Sequence, residues 1–221
     1  MYLDWKPKLK KQIIVDAFPG TGKSSLGRKH PHVLDMEAGP FKAFDGYHGL
    51  SLKEREKLKG SGLRKRNPNF PQNFLEQLKV KAKSGEYDVI LIGMSTWVEH
   101  FTKFYFDYFR DNNMQYILAM PSEHMLDELR ERAKSRGNQE RMLKSFQYKY
   151  DTINSLCKSK IFKVITINDD EFLEQALVRE GIILPTEIAL AQPPRPEPKR
   201  KEIILPAHYY PGNKRPERQA I

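Results

Sequence analysis

Cysteine is almost missing from this 221-residue chain. Cys157 stands alone, so no intrachain disulfide can form, and a reducing compartment is the natural setting. Long apolar runs are missing too. Nothing approaches the roughly 18 consecutive apolar residues of a membrane helix, which excludes a helical membrane-spanning protein. Residues 1–11 are charged and hold no apolar stretch of the signal-peptide kind, so a cytoplasmic protein is expected. Histidine numbers six with no metal-ligand spacing, and with a single cysteine no zinc site is expected. Acidic side chains are the minority: 28 Asp and Glu stand against 38 Lys and Arg, a formal net charge of +10. That balance favours phosphate-rich partners.

What the chain does have is alternating strand and helix signals between about residues 12 and 180. Lys11–Asp16, a short apolar run rich in β-branched residues, reads as a buried strand, and Val33–Leu34, Asp88–Ile92, Tyr116–Met120 and Phe162–Ile167 read as four further strands. Helices are expected over Lys23–Lys29, from Pro71 to Gly85, over the aromatic stretch Trp97–Phe109, from a Ser122 cap to about Arg136, onward through Cys157, and over Asp170–Glu180. Five strands with intervening helices imply a parallel sheet covered on both faces. Two segments depart from the pattern. Lys53–Arg66 holds seven basic and two acidic residues, where an α/β core would insert a mobile helix or loop. Ala191–Ile221 holds seven of the fifteen prolines, so the expected division is a domain over 1–190 and a Pro/basic-rich tail or arm over 191–221.

The sharpest motif is Ala17-Phe18-Pro19-Gly20-Thr21-Gly22-Lys23-Ser24. It fits the phosphate-binding pattern G-x-x-x-x-G-K-[ST], with Ala17 in place of the first glycine. Gly20 and Gly22 let the backbone curl so that successive N–H groups face one anion. Lys23 would reach the β- and γ-phosphates and the Ser24 hydroxyl would ligate Mg²⁺. Ligands in such sheets lie beyond the carboxyl ends of the strands. Asp88 opens its strand and is misplaced for that work. Asp35 and Glu37 follow the second strand, where a carboxylate can accept a hydroxyl proton or orient an acceptor; a loop acid capping a helix is the competing reading. Arg130, Arg132, Arg136 and Arg141 cluster around a Gly137-Asn138 break. They either close over a transferring phosphoryl group or form a solvated face with pairs such as Glu128–Arg132. The aromatic stretch Trp97–Phe109 has core spacing, with base stacking as the alternative.

From about residue 12 to 180 the chain resembles the adenylate-kinase-like P-loop kinases, a group that includes nucleoside monophosphate kinases and polynucleotide kinases. The likeness is carried by AFPGTGKSS (Ala17–Ser25), VLDME (Val33–Glu37) and RERAKSRGN (Arg130–Asn138). NFPQNF (Asn69–Phe74) and SRGN further resemble small P-loop kinases common in phage genomes. Some of those act on mononucleotides, and others are similar to kinases of 5-hydroxymethyluridine within phage DNA. The resemblance implies an α/β P-loop NTPase fold, its five-stranded parallel sheet ordered 2-3-1-4-5 and flanked by helices, with a lid segment after the fourth strand. It implies ATP and Mg²⁺, with Phe18, Pro19, Gly20, Thr21, Gly22, Lys23, Ser24 and Ser25 holding the nucleotide. It gives Ser24 and Asp35 to the metal, and Lys23, Asp35, Arg132 and Arg136 to catalysis. A phage-encoded member would work in the host cytoplasm.

The expected activity is therefore ATP-dependent transfer of a γ-phosphoryl group to a hydroxyl or phosphate of a nucleotide or of DNA, including modified DNA. A nucleoside monophosphate kinase confined to free nucleotides is one alternative, and a non-catalytic ATP-binding module in a DNA complex is another. The net charge and the basic Lys53–Arg66 segment tilt the reading towards a polymeric acceptor.

Overall fold

In a computed structural model, residues 12–44, 65–93, 107–135, 140–158 and 163–191 are described. The strands are β1 (Gln12–Ala17), β2 (Val33–Met36), β3 (Ala43–Phe44), β4 (Lys65–Arg66), β5 (Val89–Gly93), β6 (Met114–Pro121) and β7 (Lys163–Ile167). The helices are α1 (Lys23–Lys29), α2 (Gly39–Lys42), α3 (Gln72–Ser84), α4 (Leu126–Ser135), α5 (Glu140–Cys157), α6 (Leu173–Arg179) and α7 (Thr186–Leu190). A helical turn at 107–111 precedes β6.

The five long strands form one parallel sheet in the order β2-β5-β1-β6-β7, which is 2-3-1-4-5 when the sheet's own strands are counted. The apolar runs explain this placement. Ile13, Ile14 and Val15 of β1 and Val89, Ile90 and Leu91 of β5 are almost wholly buried, as strands covered on both faces must be. β3 and β4 make a separate two-residue antiparallel ladder.

Register fixes which side chains share a face. Val15, Leu91 and Asp35 stand abreast across β1, β5 and β2, and Asp16, Ile92 and Met36 form the next row. Successive residues of a strand point to opposite faces, so Asp16 and Asp35 lie on opposite sides of the sheet. α1 covers the Asp35 side: a Cβ placed on Gly27 would stand 2.7 Å from Cβ of Asp35. On the Asp16 side, Tyr116 of β6 stacks on Phe109 of the 107–111 turn, with ring centroids 4.9 Å apart. Neighbouring Tyr108 donates its hydroxyl to the Leu75 carbonyl of α3 at 2.9 Å.

The helices obey their own signals. α3 buries Phe74, Leu75, Leu78 and Ala82 along one face, starts after Pro71 and stops at Gly85. α4 ends at Ser135, close to the expected boundary. Three readings need correction. Ser122 occupies a cap position before a 3₁₀ turn (Glu123–Met125), but its hydroxyl donates to the Asp169 carboxylate and makes no cap bond. The last expected helix is shorter, Leu173–Arg179, because the preceding Asn168–Glu171 stretch is a turn closed by a bond from Glu171 N–H to the Asn168 carbonyl. Beyond it α7 adds a helix that periodicity does not signal. It is fixed from outside: Thr186 donates to Glu174, and the neighbouring Leu184 carbonyl accepts from the His30 ring at 3.2 Å. Residues 97–106 of the aromatic stretch, 53–64 of the basic Lys53–Arg66 segment and the tail from 192 lie outside the described residues.

Candidate functional site

The site grows from the end of β1. The strand leads into a loop whose Phe18 side chain turns inward, fully buried, and meets Phe146 and Tyr150 of α5 edge-on at 5.5 and 6.3 Å. Phe18 therefore anchors the loop, and only its backbone is left to meet a ligand. The loop then makes two left-handed steps, at Gly20 (φ 91°) and Gly22 (φ 104°), which L side chains rarely adopt. Thr21 between them is buried; its Oγ1 donates to the Phe18 carbonyl at 2.8 Å, and its carbonyl receives the Leu173 N–H at 3.0 Å. Gly20 also lies against α4, where an added Cβ would come within 3.1 Å of Leu129. Three elements thus clamp the loop before any anion arrives.

Lys23 opens α1 and curls back over the loop. Its Nζ donates to the carbonyls of Ala17 at 2.7 Å and Phe18 at 3.0 Å. Its Cε lies 3.7 Å from where a Cβ on Gly93 would stand, so it occupies the carboxyl edge between β1 and β5. Ser24 beside it is exposed, Pro19 and Ser25 are half-buried, and no acidic residue sits in the first turn of α1. Mg²⁺ bound mainly by phosphate oxygens and water needs little more from a protein than one hydroxyl such as that of Ser24. Asp35 is half-buried within β2, two strands from β1 and so about 10 Å across the sheet. Glu37 is exposed just past the strand.

A cavity of about 650 Å³ opens beside the loop, lined by Gly22, Ser25, Lys29, Phe172, Gln175 and Glu187 among others. Phe172 is half-exposed at its rim and lies 3.5 Å from where a Cβ on Gly22 would stand. The Arg132 guanidinium of α4 sits 4.7 Å from the Phe172 ring centroid and pairs with Glu128. Glu128 and Arg132 thus make the surface pair that helical spacing suggests, and Arg132 also reaches the site. Phe172 is held from behind, where its N–H donates to Gln175 Oε1 at 2.6 Å. Arg179 braces the same turn by bonding Glu171 and the Thr166 carbonyl. That arginine holds the Glu171 carboxyl below its ordinary range. Arg130 pairs with Asp127, and Arg136 lies outside the described residues.

Two residues of this site carry no motif signal. Phe172 is one. The other is Asp16, the last residue before Ala17. It is 5% exposed, and its Oδ2 accepts the Tyr116 hydroxyl at 2.6 Å. Its Oδ1 is buried and has no hydrogen-bond partner among the described residues. Burial pushes its carboxyl up to about 7, against the pull of the Tyr116 hydroxyl and the Lys23 ammonium. The signal that could have found it is a lone acid closing an otherwise apolar strand run, IIVDA. Cys157, by contrast, is no nucleophile at neutral pH, since burial pushes its thiol up to about 11.

No protein-family model matches the chain, and neither does any curated protein. Among solved structures it is similar to the tunicamycin resistance protein of Deinococcus radiodurans, with 13% identity and a TM-score of 0.48 over 78% of this chain and 94% of that one. It is similar to a chain of the PezAT chromosomal toxin–antitoxin system of Streptococcus pneumoniae, with 17% identity and a TM-score of 0.44 over 76% and 72%. It is also similar to a gluconokinase of Sinorhizobium meliloti 1021, with 14% identity and a TM-score of 0.40 over 82% and 95%. The fold itself is written in the sheet: a parallel 2-3-1-4-5 order with a glycine-turned loop between the central strand and α1 is the P-loop NTPase fold. No helix among the described residues is long and apolar enough to cross a membrane.

Proposed function

We propose that the protein is an ATP-dependent kinase that transfers the γ-phosphoryl group to a nucleotide or to a nucleotide unit of DNA. The observation that carries this reading is the loop from Ala17 to Ser24. Its two left-handed glycines bend the backbone between β1 and α1, as a loop that wraps an anion requires, and the Lys23 ammonium stands at the same edge of the sheet. A nest of N–H groups with an ammonium beside it binds a polyphosphate.

The remaining side chains fit the parts of a nucleotide. Phosphate oxygens would draw Lys23 from the Ala17 and Phe18 carbonyls, and Ser24 and Asp35 would hold Mg²⁺. The metal supplies neutralisation of charge on the phosphate oxygens. Phe172, at the rim of the 650 Å³ cavity with the Arg132 guanidinium over its ring, offers an aromatic plane for the base. Arg132, with Arg136 further along the same segment, would supply positive charge to the transferring group, where charge develops over three oxygens.

The acceptor class is tested by labelled transfer. Full-length protein is incubated with γ-labelled ATP and Mg²⁺ against thymidine, dTMP, plain DNA and DNA containing 5-hydroxymethyluridine. Label in any acceptor supports the kinase reading. ATP binding with no transfer to any of them favours a nucleotide-binding module in a DNA complex, and absence of ATP binding overturns both.

A further inference from the structure

We propose that Asp16 takes the proton from the acceptor, and that the acceptor is therefore an alcohol and not a phosphate monoester. This rests on the kinase reading above and sharpens it.

Position comes first. Asp16 ends the apolar part of β1 directly below the loop, and the two carbonyls that hold Lys23 belong to the next two residues of the chain. It lies on the face of the sheet opposite Asp35, so the two carboxylates cannot share one task. Asp35 stands on the α1 side, against Gly27. Asp16 stands on the side of Tyr116, Phe109 and α3.

Hydrogen bonding comes second. The Tyr116 hydroxyl fixes one oxygen of Asp16 at 2.6 Å and so sets the plane of the carboxyl. The other oxygen is buried without a partner among the described residues. Buried polar atoms are nearly always satisfied, and one left over at the edge of a binding site is what an incoming hydroxyl would complete. Lys23 holds the carbonyls of Ala17 and Phe18, the two residues that follow Asp16, so the carboxyl and the ammonium share one end of β1.

Charge comes third. Among the described residues, the titratable groups acting on Asp16 are Tyr116 from β6 and Lys23 from α1, while its row neighbours Ile92 of β5 and Leu118 of β6 carry none. Desolvation dominates and raises the carboxyl to about 7, where a general base works best near neutral pH. A phosphate monoester has a second pKa of about 6 and attacks with an oxygen that has already lost its proton. It needs no base, and a carboxylate facing it would repel it. An alcohol keeps its proton until attack and needs the base.

The acceptor hydroxyl hydrogen-bonds to Oδ1 of Asp16. Its oxygen forms the new bond to the γ-phosphorus as its proton passes to Asp16. The bond from the γ-phosphorus to the β–γ bridging oxygen breaks, and its electron pair leaves with ADP. Asp16 then returns the proton to water, so alcohol and ATP give phosphate ester, ADP and one proton.

The test compares wild type, Asp16→Asn, Asp16→Glu and Asp35→Asn, each assayed for ATP affinity by titration calorimetry and for labelled transfer to thymidine, dTMP and 5-hydroxymethyluridine DNA. The proposal expects wild-type label in a hydroxyl acceptor and a rate that rises with pH to a plateau with a midpoint near 7. Asp16→Asn should lower turnover by about 10²–10⁴-fold with ATP affinity little changed, and Asp16→Glu should recover part of it. Asp35→Asn should leave the midpoint in place. Transfer to the phosphate of dTMP in preference to any hydroxyl overturns the proposal, as does full turnover with an unmoved pH midpoint in Asp16→Asn. Should Asp16→Asn fail to fold, the acceptor preference and pH profile of the wild type still decide. Absence of wild-type transfer to every acceptor overturns the underlying kinase reading, an outcome distinct from all of these.

Discussion

Asp16 concentrates the physics of the site at the residue scale, because burial works against its charge while Tyr116 and Lys23 work for it. Its carboxyl stands at about 7 in the folded chain and near 3.9 in an unfolded one. Between those values the folded state keeps a proton that the unfolded state has lost, so stability falls as pH rises through that window. Asp16→Asn cannot ionise and escapes the loss. Thermal unfolding at pH 5 and pH 8.5 should show the variant gaining on wild type by about 4 °C or more at the higher pH. Parallel curves would mean that Asp16 is not held at a raised pKa. The loop beside it was legible in the sequence because positive φ at Gly20 and Gly22 is a demand that few residues meet. Asp16 was not, since its burial depends on Tyr116, a residue 100 positions away.

At the scale of elements, what could be read followed from how strongly each piece specifies itself. The apolar runs of β1, β5 and β6 and the single apolar face of α3 predict their own structure, and all four appear close to their expected bounds. The β3–β4 ladder and α7 are held by partners and carry no period of their own, so sequence reasoning passed over them. The seam between α1 and β2 has a similar hidden condition. A Cβ at Gly27 would lie 2.7 Å from Cβ and 2.9 Å from the backbone nitrogen of Asp35, so only a glycine lets the helix approach. Gly27→Ala gains about 1 kcal/mol in helix propensity but forces backbone apart, typically about 1–3 kcal/mol for overpacking. The clash should win, since β2 is pinned to β5. Tm is expected to fall by about 2–8 °C, and a rise in Tm would show that the seam opens freely.

Across the whole molecule, the 2-3-1-4-5 order brings the P-loop, the end of α4, the turn before α6 and both carboxylates to one edge of the sheet, though they lie up to about 150 residues apart in sequence. The formal net charge of +10 favours anionic ligands for the chain as a whole. Arg136, expected over the transferring phosphoryl group, and residues 53–64 of the basic Lys53–Arg66 segment, expected at a polymeric acceptor, lie outside the described residues. The most direct measurement of the central claim is labelled phosphoryl transfer by Lys23→Ala beside wild type, with circular dichroism and calorimetric ATP binding on both. On the proposed reading Lys23 is the charge that the loop would bring to the phosphates, and losing one preorganised donor of this kind costs about 10²–10³-fold in turnover. The variant should fold, and its transfer should fall by at least about that factor. A folded Lys23→Ala that transfers phosphate at the wild-type rate would contradict that claim.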